Sequence, residues 1–381
     1  EMISGFTTTG ATVVSDVEGL TKGSLFWRSF SHWIGGMGVL VFLLAIVPMA
    51  GGSHMNLMKA ESPGPSVGKL VPKVRQTAKY LYIIYFALTM IEVIFLLFGG
   101  MNLFEALTTS FGTAGTGGFA IWNDGFVSVS PYNQWVVTIF MLLFGVNFGF
   151  YFLILTGKLR DALKFEEVRI YFIIVIAAAV FIFINLRHFA LYAPAEGIRQ
   201  AFFQVASIIT TTGFASADFN LWPETSRTIL VLLMFIGACA GSTGGGIKVS
   251  RFIIACKSFI KEIISYLHPR SVKKIKIEGK PLEHETLRAT NVYFMTYMVI
   301  FAVSVLLVSI ENKDLVTNFA AVAATFNNIG PGLSLVGPMA NFGHFTDFTK
   351  YILMFDMLAG RLEIFPMMLL FCPAVWKRRR A

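Results

Sequence analysis

The sequence predicts an all-α polytopic membrane protein assembled from four repeats. Three observations predict it: a membrane-type composition, seven apolar runs divided by short polar gaps, and a Thr/Gly-rich loop that returns roughly every hundred residues. Of 381 residues, 55% are hydrophobic and 14% charged, whereas a soluble domain carries about 25% charged residues. The runs cover 24–52, 79–100, 131–157, 169–189, 224–268, 288–310 and 347–376. Each reaches the roughly 20 residues that a bilayer crossing requires. Their recurrence fits one membrane domain better than the two or three soluble domains that length alone would suggest.

A net charge of +9 would suit nucleic acid, but its placement argues against that. Lys and Arg cluster at 54–79 (Lys59, Lys69, Lys73, Arg75, Lys79), 157–169, 248–288 and 377–380. These blocks stand at alternate ends of the runs, the asymmetry of cytoplasmic loops. The gaps 101–130, 190–223 and 311–346 hold only Arg199 and Lys313, so they face outside. Seven crossings then place Glu1 outside and the basic C-terminus in the cytoplasm. The chain opens on a polar loop without an initiator Met, and an N-terminal truncation is expected. Cys239, Cys256 and Cys372 lie in or beside apolar runs and are expected to be packing residues, since an odd number gives no disulfide framework.

The loops read Thr7-Thr8-Thr9-Gly10, Thr116-Gly117-Gly118, Thr210-Thr211-Thr212-Gly213 and Asn327-Asn328-Ile329-Gly330. Gly10, Gly118, Gly213 and Gly330 are 108, 95 and 117 residues apart. Internal repetition at a fixed period defines the architecture, and the repeats divide as 1–53, 54–157, 158–287 and 288–381. Before the last three loops stand stretches at 103–112, 198–209 and 315–325. They are too short to span and read as re-entrant helices, while the chain enters the first repeat at the end of that segment.

Irregular backbone at membrane depth is tolerated only inside protein or along a water-filled cavity. Four such loops converging on one axis, with pseudo-fourfold symmetry, would line a central ion pore in which carbonyls and Thr hydroxyls replace a cation's hydration shell. Gly supplies the backbone conformations this needs, and helix C-termini aimed at the cavity present about −0.5 of a charge to the cation. With these four loops and the span–pore helix–span repeat, the whole chain resembles the TrkH/KtrB family of potassium uptake proteins.

That resemblance implies a filter of Thr8, Thr9, Gly10, Thr116, Gly117, Gly118, Thr211, Thr212, Gly213, Asn328, Ile329 and Gly330. The fourth loop departs from the TTTG pattern at Asn327 and Asn328. Potassium is the implied transported ion, with sodium as a second candidate and no covalently bound cofactor. The implied setting is the plasma (inner) membrane, with filter loops outside. The implied partners are a cytosolic nucleotide-binding regulatory ring subunit resembling TrkA or KtrA, which would dock on the basic segment 248–288, and a second copy of the chain.

The fifth run is interrupted by Gly237-Ala238-Cys239-Ala240-Gly241-Ser242-Thr243-Gly244-Gly245-Gly246-Ile247-Lys248, of which Gly241, Ser242, Thr243, Gly244, Gly245, Gly246 and Lys248 are the candidate gate residues. Its Gly content is too high for a helix interior, and Ile247 before Lys248 breaks the phosphate-loop pattern. In the family such a segment is an intramembrane gating loop. The last run carries Asp356, Arg361 and Glu363. Intramembrane charges are costly and usually functional, and Arg361 matches a family arginine below the filter. Glu92 reads as a packed carboxyl, and Gly35, Gly36 and Gly38 as sites of close helix packing. His284-Glu285 lacks the spacing of a zinc helix, and no nucleophile–base pair stands out, so an enzyme is not expected. The alternative is an alternating-access cotransporter moving potassium with sodium or protons, but its repeats often run inverted, whereas every Thr-Gly loop here lies on one side.

Overall fold

The computed structural model describes residues 1–38, 74–268, 274–362 and 364–373. Among these, three helices are by themselves long and apolar enough to cross a bilayer: Ala78–Phe98, Glu166–His188 and His284–Glu311. They lead the second, third and fourth repeats. Each is followed by a shorter helix, Leu103–Gly115, Pro194–Ile209 and Leu315–Phe326. The short helices begin where the sequence supplies caps. Asn102 and Glu105 form a reciprocal capping box, Pro194 opens the second of them, and Asp314 accepts from Thr317 N–H. Met2–Phe6 takes the corresponding place in the first repeat.

The second spans are broken, at the Gly-rich stretch as the sequence predicted and at two further places where it did not. The run 131–157 is two helices, Pro131–Phe144 and Phe148–Leu155, meeting at 89°. Glu224–Met234 and Val249–Leu267 flank the Gly-rich stretch, and Asp347–Arg361 gives way to Ile364–Leu370. Hydropathy reads composition and not continuity, so breaks in an apolar run are invisible to it. At Gly145-Val146-Asn147 the Asn147 side chain caps the next helix. The freed Gly145 carbonyl accepts from Cys239 N–H at 3.0 Å, and Phe148 N–H donates to Gly241 O at 3.0 Å. Irregular backbone is therefore answered by irregular backbone inside the protein. The remainder of the run 24–52, together with Lys59, Lys69, Lys73, the Arg75 side chain, Glu363 and the tail 377–380, lies outside the described residues.

The short helices sit in a closed circle. Leu103–Gly115 packs against Lys22–Gly36, Val74–Phe98 and Pro131–Phe144. Pro194–Ile209 packs against Pro131–Phe144, Glu166–His188 and Glu224–Met234. Leu315–Phe326 packs against Glu224–Met234, His284–Val308 and Asp347–Arg361. Met2–Phe6 closes the circle by touching both Lys22–Gly36 and Asp347–Arg361. The loops that follow them also join in order. Val17 N–H donates to Asn123 at 2.7 Å, Phe126 N–H to Ala215 O at 2.8 Å, Ser334 N–H to Asn220 at 3.0 Å and Phe342 N–H to Thr12 O at 2.8 Å. Asp16, on the same rim, accepts from Asn123 Nδ2, which holds its carboxyl below the usual range.

The predicted close packing of the first second-span is present. A Cβ on Gly35 would lie 2.2 Å from Phe6 O, and one on Gly36 would lie 2.6 Å from Gly115 Cα. The cysteines are not uniformly internal: Cys239 is buried, whereas Cys256 is exposed. Nor is the basic segment wholly solvated. Lys248 and Arg251 are buried, and Arg251 lies 3.9 Å over the Tyr293 ring. The segment's outer part forms the small hairpin Lys276–Ile277 with Lys280–Pro281.

Candidate filter loops and the loop beneath them

Each short helix ends in the same way. Thr9, Gly117, Thr212 and Ile329 return their N–H groups to Ser4 O, Gly112 O, Ser207 O and Ala324 O at 2.8–2.9 Å. Thr8, Thr116, Thr211 and Asn328 donate to Gly5 O, Thr113 O, Ile208 O and Thr325 O at 3.0–3.1 Å. This paired closure requires a left-handed residue, and those four residues have φ of 54°, 53°, 59° and 55°. Gly ordinarily fills this position, and a residue with a Cβ costs roughly 1–2 kcal/mol there. Such strain gathers at functional sites. Sequence reasoning missed it, because Thr is a poor signal for left-handed backbone. Asn328 was the available clue, since Asn tolerates that conformation.

Two residues on, Gly10, Gly118, Gly213 and Gly330 have φ of 77°, 76°, 83° and 95°. A Cβ on Gly10 would lie 2.0 Å from Gly117 O, on Gly118 2.0 Å from Thr212 O, on Gly213 1.9 Å from Ile329 O, and on Gly330 2.6 Å from Thr9 O. Each glycine thus abuts the carbonyl that precedes the equivalent glycine in the next repeat, and the fourth returns to the first. The four loops form a ring, and their glycines line one cavity of about 120 Å³. The Thr hydroxyls are organised in matching pairs, Thr7 with Thr9 at 2.8 Å and Thr210 with Thr212 at 2.7 Å.

The Gly-rich stretch lies against the inner residues of this ring. Thr243 O accepts from Thr116 Oγ1 at 3.0 Å and from Arg361 Nη1 at 2.8 Å. Gly245 N–H donates to Thr211 Oγ1 at 2.6 Å, and a Cβ on Gly245 would lie 2.9 Å from Asn328 Cβ. Arg361 Nη2 donates to Gly35 O at 2.6 Å and Gly36 O at 2.8 Å, so one guanidinium spans three carbonyls from two repeats. Asp356 is not engaged with it in this way, since its Oδ1 accepts from Ser304 Oγ at 2.7 Å. Lys248 Nζ donates to Gly244 O. Gly241 faces Asn147 and Gly246 faces Gly237, while Ser242 Oγ donates to Cys239 O at 2.6 Å. Glu92 is buried in Val74–Phe98, where it meets Thr113. No cluster of His, Cys, Asp or Glu suited to a metal occurs among the described residues.

Glu167 is a residue that sequence reasoning did not single out. Its Oε1 accepts from Ala240 N–H at 2.7 Å and Ser250 N–H at 3.0 Å, one on each side of the loop. The backbone adds a closure of its own nearby, with Val249 N–H donating to Ala238 O at 3.0 Å. Replacing Glu167 by Leu orphans two buried donors, at about 1–3 kcal/mol each. We expect alkylation of Cys239 by a maleimide to accelerate at least about tenfold in Glu167→Leu, measured with Cys256 and Cys372 replaced by Ser. An unchanged rate would mean that the carboxylate does not hold the loop.

The family model for TrkH, described as a cation transport protein, matches residues 1–378. The Trk system potassium uptake protein TrkH of Escherichia coli K12 is 38% identical over 386 aligned positions, covering 99% of this chain and 78% of that protein. The protein of the same name from Vibrio parahaemolyticus is 37% identical over 383 positions, with 99% and 79% covered. The crystal structure of the potassium transporter TrkH from Vibrio parahaemolyticus aligns with a TM-score of 0.86 at 35% identity, over 98% of this chain and 77% of that one. With the ring of loops already described, these matches along nearly the whole chain show that it belongs to the TrkH family of cation transport proteins.

Proposed function

We propose that this chain carries potassium across the plasma (inner) membrane as a channel-like subunit, with the four loops as its selectivity filter and the 241–248 loop with Arg361 as its gate. One observation carries the reading: each filter glycine meets the carbonyl of the next repeat, closing four strained loops into one ring. A ring of carbonyls at the C-terminal ends of four inward-pointing helices suits a dehydrated monovalent cation. Thr8, Thr9, Gly10 and their counterparts at 116–118, 211–213 and 328–330 supply the ligands. The alternation of basic loops supports filter loops outside and a cytoplasmic C-terminus. The relatives' name, a Trk system potassium uptake protein, supports potassium as the ion. The word system in that name fits an assembly with a regulatory partner, which we take to be a cytosolic nucleotide-binding ring, and we extend the assembly to a homodimer.

The test is ion flux into vesicles reconstituted with the protein. Potassium should enter down its own gradient without any sodium or proton gradient, and more slowly when the cytosolic ring withholds its activating nucleotide. Uptake that strictly requires a second ion's gradient would instead establish a cotransporter.

A further inference from the structure

We infer that His32 is a positioning residue of the filter: its neutral imidazole ties the first loop to the second and so sets potassium-over-sodium discrimination. The inference rests on the filter reading above. His32 belongs to Lys22–Gly36 and is fully buried. Nδ1 lies 2.8 Å from Gly5 O, and Nε2 accepts from Phe119 N–H at 3.2 Å. A carbonyl cannot donate and a peptide N–H cannot accept, so these two bonds together fix the tautomer with the proton on Nδ1. Gly5 O also receives Thr8 N–H, part of the closure that turns the first loop. Phe119 directly follows Gly118. A single ring therefore holds backbone from two neighbouring quadrants.

The same ring accounts for an irregularity among the loops. At the position before the filter glycine, three repeats carry a side chain, Thr9, Thr212 and Ile329, and the second carries Gly117. A Cβ on Gly117 would lie 2.2 Å from His32 Cγ and Nδ1. The imidazole occupies the volume that a side chain from the loop itself would fill elsewhere. It is held in turn by the Phe119 ring, with centroids 4.2 Å apart, over which the Arg28 guanidinium lies at 4.2 Å. His32 and Gly117 thus form one complementary pair in the second quadrant, where the other quadrants rely on their own loop residue.

The test uses the full chain in vesicles and compares potassium and sodium entry for His32→Phe and His32→Gln, with thermal stability in detergent alongside. Phe fills the volume without either bond, whereas the Gln amide has both a donor for Gly5 O and an acceptor for Phe119 N–H. The potassium-to-sodium ratio should fall by at least about twofold in His32→Phe, which loses both hydrogen bonds, and Gln should restore most of it. If His32→Phe does not fold, Gly117→Ala and its combination with His32→Ala decide. The single change should lower the ratio, and the double change should recover part of the loss. A folded His32→Phe, or a Gly117→Ala, with the parent's ratio overturns the inference. Gly213→Ser is the control for the reading beneath it: a ratio lowered there but unmoved at His32 removes only the present inference.

Discussion

Gly213→Ser is expected to lower potassium-over-sodium preference at least about tenfold while leaving the protein folded. The backbone there has φ +83°, and an added Cβ would lie 1.9 Å from Ile329 O and 2.9 Å from Pro331 Cδ. A side chain in left-handed conformation costs roughly 1–2 kcal/mol, and overpacking typically adds about 1–3 kcal/mol. The fold as a whole can absorb that, because the third repeat is also held by the packing of Pro194–Ile209 against three spans. The proposed filter cannot, because the atom displaced is the carbonyl of the neighbouring quadrant. Movement of one ligand of a four-loop ring changes the cavity for every ion in it. Competition of sodium against potassium uptake, on protein whose thermal unfolding is checked in parallel, measures the effect. Gly330→Ser should be milder, since its Cβ has 2.6 Å to Thr9 O. Equal preference in Gly213→Ser and parent would remove Gly213 from the filter.

Much of this architecture was legible because it is repeated. One Thr-Gly loop is a turn, but four at near-equal spacing with a short helix before each define a unit. The short stretches at 103–112, 198–209 and 315–325 placed those helices within a few residues. What hydropathy could not reveal was where the second spans break, because Gly145 to Asn147 sit in an unbroken apolar run whose interruption depends on partners in the 237–248 loop. The left-handed residues were hidden for a related reason. Thr8, Thr116 and Thr211 adopt a conformation that their own chemistry disfavours, and the surrounding packing imposes it. Glu167 and His32 were likewise silent, since each acts on backbone groups far away in sequence. Arg361 and the Gly-rich loop were expected to meet, because each needs a polar cavity within the membrane, and they do so through Thr243 O.

That contact sets the second large expectation: Arg361→Ala should raise potassium flux by about ten- to a hundredfold and weaken its dependence on the proposed cytosolic ring. Charge-assisted hydrogen bonds contribute about 1.5–3 kcal/mol each, and those of Arg361 include bonds to Thr243 O, Gly35 O and Gly36 O. Removing them takes one of the two donors from Thr243 O and unties the loop from Gly35 and Gly36, while Thr116 Oγ1 still donates to Thr243 O and Lys248 to Gly244 O. On the proposed reading the fixed positive charge also leaves the cation's path, and neither change touches a carbonyl of the proposed filter. Deleting Gly244 and Gly245 should act in the same direction, because it takes away the backbone that meets Thr211 and Asn328. Arg361→Lys separates the two contributions. Lys keeps the charge as a point donor but cannot span three carbonyls with a planar fork, so flux near the parent's would assign the barrier to charge, and flux near that of Arg361→Ala would assign it to the latch. The measurement is flux through reconstituted protein with and without the ring subunit and its nucleotide. If Arg361→Ala and the loop deletion both keep the parent's flux and the parent's regulation, the loop is not a gate, and Arg361 is a structural clasp between the first and third repeats.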